Sequence, residues 1–246
     1  MVSAATHPSW LADVMAASSE TLGLVMLEAD VHARRLDRAT QLTAVREALA
    51  DGAATAEALR ARYPDLAPHE IAAGLNVPVA ETDDDPLVGS LWRFAEYQER
   101  PVRIVLYSRG LAPLDDAIAG RLAVRLLGQA TPRDVFVAHE LFHHIEATRS
   151  DTPIARRYRP TLFRIGGWQW RTGIAALAEI AAGAFALSLL DLPCHPRVLD
   201  LIALDAIASN AAARIAARIA AADILGHDSG CPPTGATSGM DGTQPW

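Results

Sequence analysis

The sequence predicts an α+β, mostly helical fold with a small sheet. Three observations predict it. Long stretches keep the three-to-four-residue spacing of apolar side chains expected of amphipathic helices. One region, "SLWRFAEYQERPVRIVLYSRG", shifts to a two-residue period and contains the β-branched run "VRIVLY". Half of the 246 residues are hydrophobic and 21% are charged, which is ample apolar surface for a core.

Taken in chain order, residues from about Trp10 to Leu49 carry Leu, Val and Met at helical spacing, with "RRLDR" as an interruption. "TAEALRARYPDLAPHEIAAGL" reads as two short helices. The first is capped by Thr55 and ends near Tyr63-Pro64. The second begins with Pro68 at its first position and has Glu70 in its first turn. The acidic balance and the intervening proline argue against a helix-turn-helix DNA reader. "ETDDDP" is a solvated acidic turn. The two-residue period predicts a hairpin turning around Glu99 to Pro101. "LDDAIAGRLAVRLLG" predicts an amphipathic helix ended by Gly128, and Thr131 and Pro132 open the next one as N-cap and first residue. "TLFRIGGWQWRT" predicts a second hairpin on Gly166-Gly167, with Trp168 and Trp170 either in the core or at the lip of a cleft. A helix stopped before Pro193 follows, and then one long helix or two.

Bulk properties narrow the function. The formal net charge is -7, and all 22 basic residues are arginine. A polyanion needs a concentrated basic surface, so nucleic acid is not expected as a direct partner. Two cysteines, Cys194 and Cys231, make no disulfide framework and favour a reducing compartment. The N-terminus has neither the basic nor the apolar region of a signal peptide. Gly173 to Leu190 is apolar but carries Glu179 near its middle. A lone acid at bilayer depth costs about 2.5–3.5 kcal/mol, so a buried soluble helix is expected and membrane is not expected as a partner. The expected location is cytoplasmic.

The chemistry concentrates in "VFVAHELFHHIEATR". His139 and His143, at i and i+4, lie on one helical face and can converge on a single metal ion. Glu140 is rotated about 100° from His139, so it ligates poorly but is well placed to take a proton from a metal-activated water. A catalytic zinc site takes three protein ligands and keeps one position open. Downstream candidates for the third are His144, Glu146, Glu179, His195 and His227. His144 points away from the pair, and His227 begins a polar, low-complexity tail. Glu179 has a better neighbourhood than His195. It sits in the apolar "LAEIAAGAFA", where Ala182, Gly183 and Ala186 form a small-residue stripe on its face that would admit the histidine helix.

Together, "FVAHELFHHIE" and "EIAAGAFALSLLDLP" resemble the ImmA/IrrE-type minimal gluzincin metallopeptidases, with the resemblance running from about residue 65 to 193. It implies His139, His143 and Glu179 as Zn2+ ligands and Glu140 as general base. It also implies a zincin-like catalytic domain whose sheet packs on the HExxH helix, and an intracellular protein or peptide substrate, with transcriptional regulators among the candidates. Phe142 departs from the glycine usual in the motif and predicts a bulkier cleft wall.

The expected organisation is an N-terminal helical region over 1–85, a zincin-like metallopeptidase domain over 86–226 and a disordered tail over 227–246. Tyr158, Arg157 and His195 are candidate donors to a developing oxyanion, and the strand Val102 to Tyr107 is a candidate for pairing with an extended peptide. The alternative to an enzyme is a regulatory or protein-binding module whose zinc site is structural and closed by a fourth side chain such as His195. Oligomeric state is not fixed by these observations.

Overall fold

The computed structural model describes residues 8–88, 91–166 and 168–227. Within them the chain is α+β and mostly helical, with a small mixed sheet. The N-terminal part forms α1 (Leu11–Ala16), α2 (Ser19–Ala29), a 3-10 turn (Ala33–Arg35), α3 (Arg38–Arg62) and α4 (Pro68–Gly74). The "RRLDR" interruption is where the 3-10 turn ends, and Asp37 then caps α3 by accepting the Thr40 N–H at 2.8 Å. α4 begins at Pro68 as expected, with Glu70 accepting the Ala67 N–H at 2.8 Å. Thr55 is not a cap. α3 runs through it, and its hydroxyl donates to the Asp51 carbonyl at 2.7 Å, the i−4 bond a threonine makes inside a helix.

The main sheet has the order β1-β5-β4, from β1 (Val79–Thr82), β4 (Ala95–Glu99) and β5 (Val102–Tyr107). β4 and β5 form the expected antiparallel hairpin, and β1 pairs with β5 in parallel. The two-residue period had suggested an unbroken first strand. Instead β2 (Leu87–Val88) and β3 (Leu91–Trp92) pair separately before β4 begins. β5 is the central strand, so its backbone is paired on both sides and it cannot take up a peptide. β4 is a sheet edge.

The predicted "LDDAIAGRLAVRLLG" helix is two helices, α5 (Ser108–Ala117) and α6 (Arg121–Leu127). They are separated at Gly120, whose φ of 70° only glycine adopts without strain. α7 (Pro132–Thr148) carries the histidines and opens with the Thr131–Asp134 capping box. After α8 (Ile154–Arg157) come the β6 (Thr161–Ile165) and β7 (Trp168–Arg171) hairpin, α9 (Ala175–Leu189) and α10 (Arg197–His227). α10 breaks at Ala208, where φ is -151° and ψ 68°, so the last helix is one run with a kink. Gly167 and the tail beyond His227 lie outside the described residues, and no helix among those described is long and apolar enough to cross a membrane.

Two apolar cores result. One joins α3, α4, β5, α7 and α9 through residues such as Val45, Ile71, Ile104, Leu141 and Phe185. The other joins α1, α2, α5, α6 and α10 through Val14, Leu22, Leu114, Leu126 and Leu199. Phe94 and Phe136 pack against both and stack on each other with centroids 4.6 Å apart. Core packing and strand pairing both run across residue 85: α3 packs along α9, and β1 joins the sheet through β5.

The α3–α9 contact depends on a glycine. A Cβ placed on Gly52 would stand 2.1 Å from the Ala181 carbonyl oxygen and 2.9 Å from the Phe185 nitrogen, both backbone atoms that cannot yield without moving α9. Gly52→Ala should therefore destabilise the protein. The ~1 kcal/mol gain in helix propensity is outweighed by a clash costing about 1–3 kcal/mol or more. Urea denaturation reads the balance, and a variant as stable as the parent would show that the two helices are not held this closely.

Candidate metal centre

α7 and α9 build the site from opposite sides. His139 and His143 project from successive turns of α7, and Glu179 projects from the first half of α9. Their polar atoms converge. His139 Nε2 lies 3.2 Å from Glu179 Oε2 and 3.3 Å from His143 Nε2, and His143 Nε2 lies 3.5 Å from Glu179 Oε1. The three side chains form a group able to hold a metal ion. Of the other downstream candidates, Glu146 is buried and spent on structure, accepting the Ile154 N–H at 2.9 Å to start α8. His144 bonds the Tyr97 hydroxyl at 3.1 Å and lines a different cavity, beside Leu59 and Thr148.

The packing that sets this convergence differs from the sequence expectation in two places. Phe142 does not form a cleft wall. It is fully buried and meets Phe185 of α9 with centroids 5.7 Å apart, so its bulk braces from beneath the two helices that carry the three side chains. Gly183 does not admit α7. It makes room for His195, whose Cε1 would lie 2.9 Å from a Cβ at that position.

Glu140 is held apart from the three donors. Its Oε2 accepts the backbone N–H of Tyr97 on β4 at 2.7 Å, which fixes the carboxylate between helix and sheet edge. Burial raises its pKa, opposed by the charge of His139 and by the Tyr97 hydrogen bond. Tyr97 has no signature in the sequence, because its contribution is a main-chain donor that any residue but proline would supply at that register.

The group opens on a cavity of about 260 Å³ at the seam between the two cores. Glu140, Glu179, Phe94, Ala95, Phe136 and His195 are among the residues lining it. His195 is buried, and its Nδ1 accepts the Arg197 N–H at 3.1 Å. That bond places the proton of the neutral ring on Nε2. Burial, reinforced by Arg197, lowers its pKa to about 4, so the ring is neutral near pH 7. Arg197 and Asp200, paired at 2.9 Å, also line the cavity; they open α10 directly after Pro196 and were not singled out from sequence. Arg157 is bound to Asp51 at 2.8 Å, and neither it nor Tyr158 lines the cavity.

Without a metal ion, the site holds a proton in its place. Burial disfavours a charged His139, but the Glu179 carboxylate outweighs it and lifts the His139 pKa to about 9. Reciprocally, burial works against the Glu179 anion, but the histidines, His139 first, hold its pKa down to about 2. Burial and the His139 charge lower the pKa of His143.

A histidine ligates only when deprotonated, so below pH 9 an incoming metal ion must expel the His139 proton. Affinity for added Zn2+ should therefore climb by about tenfold per pH unit from pH 7 toward 8.5 and level off above the His139 pKa. Calorimetry in buffers of different ionisation enthalpy counts the released proton, and a flat profile would rule the pairing out. In the same titration Glu179→Ala should lose on the order of a hundredfold or more in affinity, more than the ~10–100-fold that an outer partner contributes. Glu146→Ala should keep its metal affinity while losing stability. The chain matches no family model, and comparisons with characterised proteins and with solved structures return no match.

Proposed function

We propose that the protein is a zinc-dependent metallopeptidase of the gluzincin type, with a zincin-like catalytic domain, hydrolysing peptide bonds of an intracellular protein substrate. What carries the reading is the division of labour in one cleft. Three donors, two imidazoles and one carboxylate, converge on a point open to the cavity, and a second carboxylate, Glu140, lines that cavity outside the donor group.

The donors suit zinc by type and by spacing. Two imidazoles and a carboxylate are a catalytic zinc set, and donors at 2.0–2.1 Å from a tetrahedral centre stand about 3.3 Å apart. The two imidazole nitrogens stand 3.3 Å apart, and Glu179 offers one oxygen to each, at 3.2 Å from His139 and 3.5 Å from His143. Bound there, zinc would supply Lewis acidity to polarise the scissile carbonyl and to lower the pKa of a water toward about 7.

The rest of the chemistry falls to the chain. Tyr97 occupies one carboxylate oxygen of Glu140, leaving Oε1 to take the proton of the attacking water and return it to the leaving amine. A pKa raised by burial suits a group that must do both. β4 supports the peptide assignment, since Ala95 at this sheet edge lines the cavity and an extended backbone can lie alongside an edge strand. His195, seated against Gly183 of α9, lines the same cavity, and its Nε2–H is our candidate donor to the developing oxyanion. A structural zinc site would need a fourth side chain, and among the described residues the converging group has three.

Glu140→Gln tests the proposal. Glutamine keeps an oxygen for the Tyr97 N–H but cannot accept the water proton. The variant should fold and bind Zn2+ like the parent, while hydrolysis of casein or of a peptide library falls by about 10²–10⁴-fold. Undiminished hydrolysis would eliminate Glu140 as the base. Loss of zinc along with activity would make it a ligand instead.

A further inference from the structure

The β6–β7 hairpin carries an apolar face that the fold does not use. Phe163 pairs with Trp170 and Ile165 with Trp168, so the two-residue alternation puts all four side chains on one face. Phe163 and Trp170 stack with centroids 6.0 Å apart. The four are 51%, 62%, 70% and 85% exposed for Phe163, Trp170, Ile165 and Trp168 respectively. None belongs to either core, and none lines the cavity at the candidate metal centre. The two strands form a sheet of their own, held at its base by Arg35, which donates to the Thr161 and Leu162 carbonyls at 2.9 Å. A contiguous exposed patch of this kind marks a binding surface.

Charge says what covers it. Residues 152–178 contain five arginines and no acid, in a chain whose net charge is -7, so the remainder carries -12 (-7 minus 5). Arg157 is engaged by Asp51 and Asp151. Arg156, Arg159 and Arg171 are exposed and form no ion pair among the described residues. A second copy docked hairpin to hairpin would bring the arginines at the hairpin base against their own kind, so self-association through this face is disfavoured. Two tryptophans beside an isoleucine run toward the turn of the hairpin, and Arg171, opposite Thr161, stands at its base with Arg159 two residues before Thr161. That order fits a different surface entered tip first: indole rings settle at the headgroup level of a bilayer, and arginines behind them are drawn to anionic lipid.

We propose that the β6–β7 hairpin is a docking element for an anionic membrane surface, with Phe163, Ile165, Trp168 and Trp170 entering the interface and Arg156, Arg159 and Arg171 meeting the headgroups. This is peripheral contact and needs no spanning segment. It is independent of whether the cleft hydrolyses a peptide.

The test is flotation of the full-length protein with vesicles of equimolar phosphatidylglycerol and phosphatidylcholine, and with vesicles of phosphatidylcholine alone. The protein should float with the anionic vesicles, far less with the neutral ones, and progressively less as salt is raised. Trp168→Ala/Trp170→Ala should weaken binding by about tenfold or more, and Arg156→Gln/Arg159→Gln/Arg171→Gln on the order of a hundredfold. All these side chains are exposed, so both variants should keep the parent's circular dichroism and Zn2+ affinity. No flotation, or flotation indifferent to both variants, would overturn the proposal. So would a dimer, seen without vesicles, that the tryptophan variant converts to monomer, or tighter binding to a single-stranded oligonucleotide than to the vesicles.

Discussion

The site depends on how closely α9 is pressed between α3 and α7. Glu179 can meet His139 and His143 only if the two helices hold a fixed separation over the turns that carry them. Two contacts set that separation. On one side Gly52 lets the α3 backbone lie against Ala181 and Phe185 with no side chain between. On the other, Phe142 and Phe185 fill the space beneath the polar cluster. Both are steric contacts in a close-packed interior, which resists displacement far more than an exposed ion pair does. The polar geometry above is thus inherited from the packing below.

That inheritance explains how the chain tolerates an electrostatically awkward cluster. Two imidazoles facing each other at 3.3 Å beside a carboxylate, with a second carboxylate on the same helix, are not an arrangement that favours folding by itself. In the metal-free protein one proton on His139 balances Glu179, and His143 stays neutral. A cation in the same place would satisfy all three at once. Glu140 is kept out of this exchange by the Tyr97 N–H, so helix and sheet edge separate two acidic groups into different roles. Fixing a side chain by a main-chain donor of a paired strand costs little mobility, because the strand is already immobilised by its ladder.

The fold places the cleft and the exposed hairpin in different parts of the same connection. Between α7 and α9 the chain makes α8, the two-stranded hairpin and the return to α9. The ends of this excursion and the base of its hairpin are tied down, the latter by Arg35 on the Thr161 and Leu162 carbonyls. Glu146 holds the start of α8, and the Ala155 carbonyl accepts the Ile174 N–H at 2.7 Å just before α9 begins. The apolar face of the hairpin between them lies outside both cores and takes no part in positioning the three donors. This excursion takes up the chain between His143 and Glu179.

The sequence by itself determined the elements whose signals are local. The capping box at Thr131, the i, i+4 histidines, the turn near Pro101 and the α4 start at Pro68 all follow from residues within a few positions of one another. Glu179 could also be singled out, because an acid in so apolar a helix needs a partner. Tertiary structure decided whatever depends on a neighbour remote in sequence. Thr55 looked like a cap because its helix appeared to begin there, whereas α3 continues through it against α9. Gly183 looked like a seat for α7 and receives His195, because stripe composition states only that something approaches closely. Phe142 looked like a cleft residue and faces Phe185, since a helical position fixes direction relative to the helix but not which neighbour lies there. The Tyr97 bond to Glu140 left no trace in residue identity, because a main-chain N–H is the same in every amino acid but proline and only the strand register aims it.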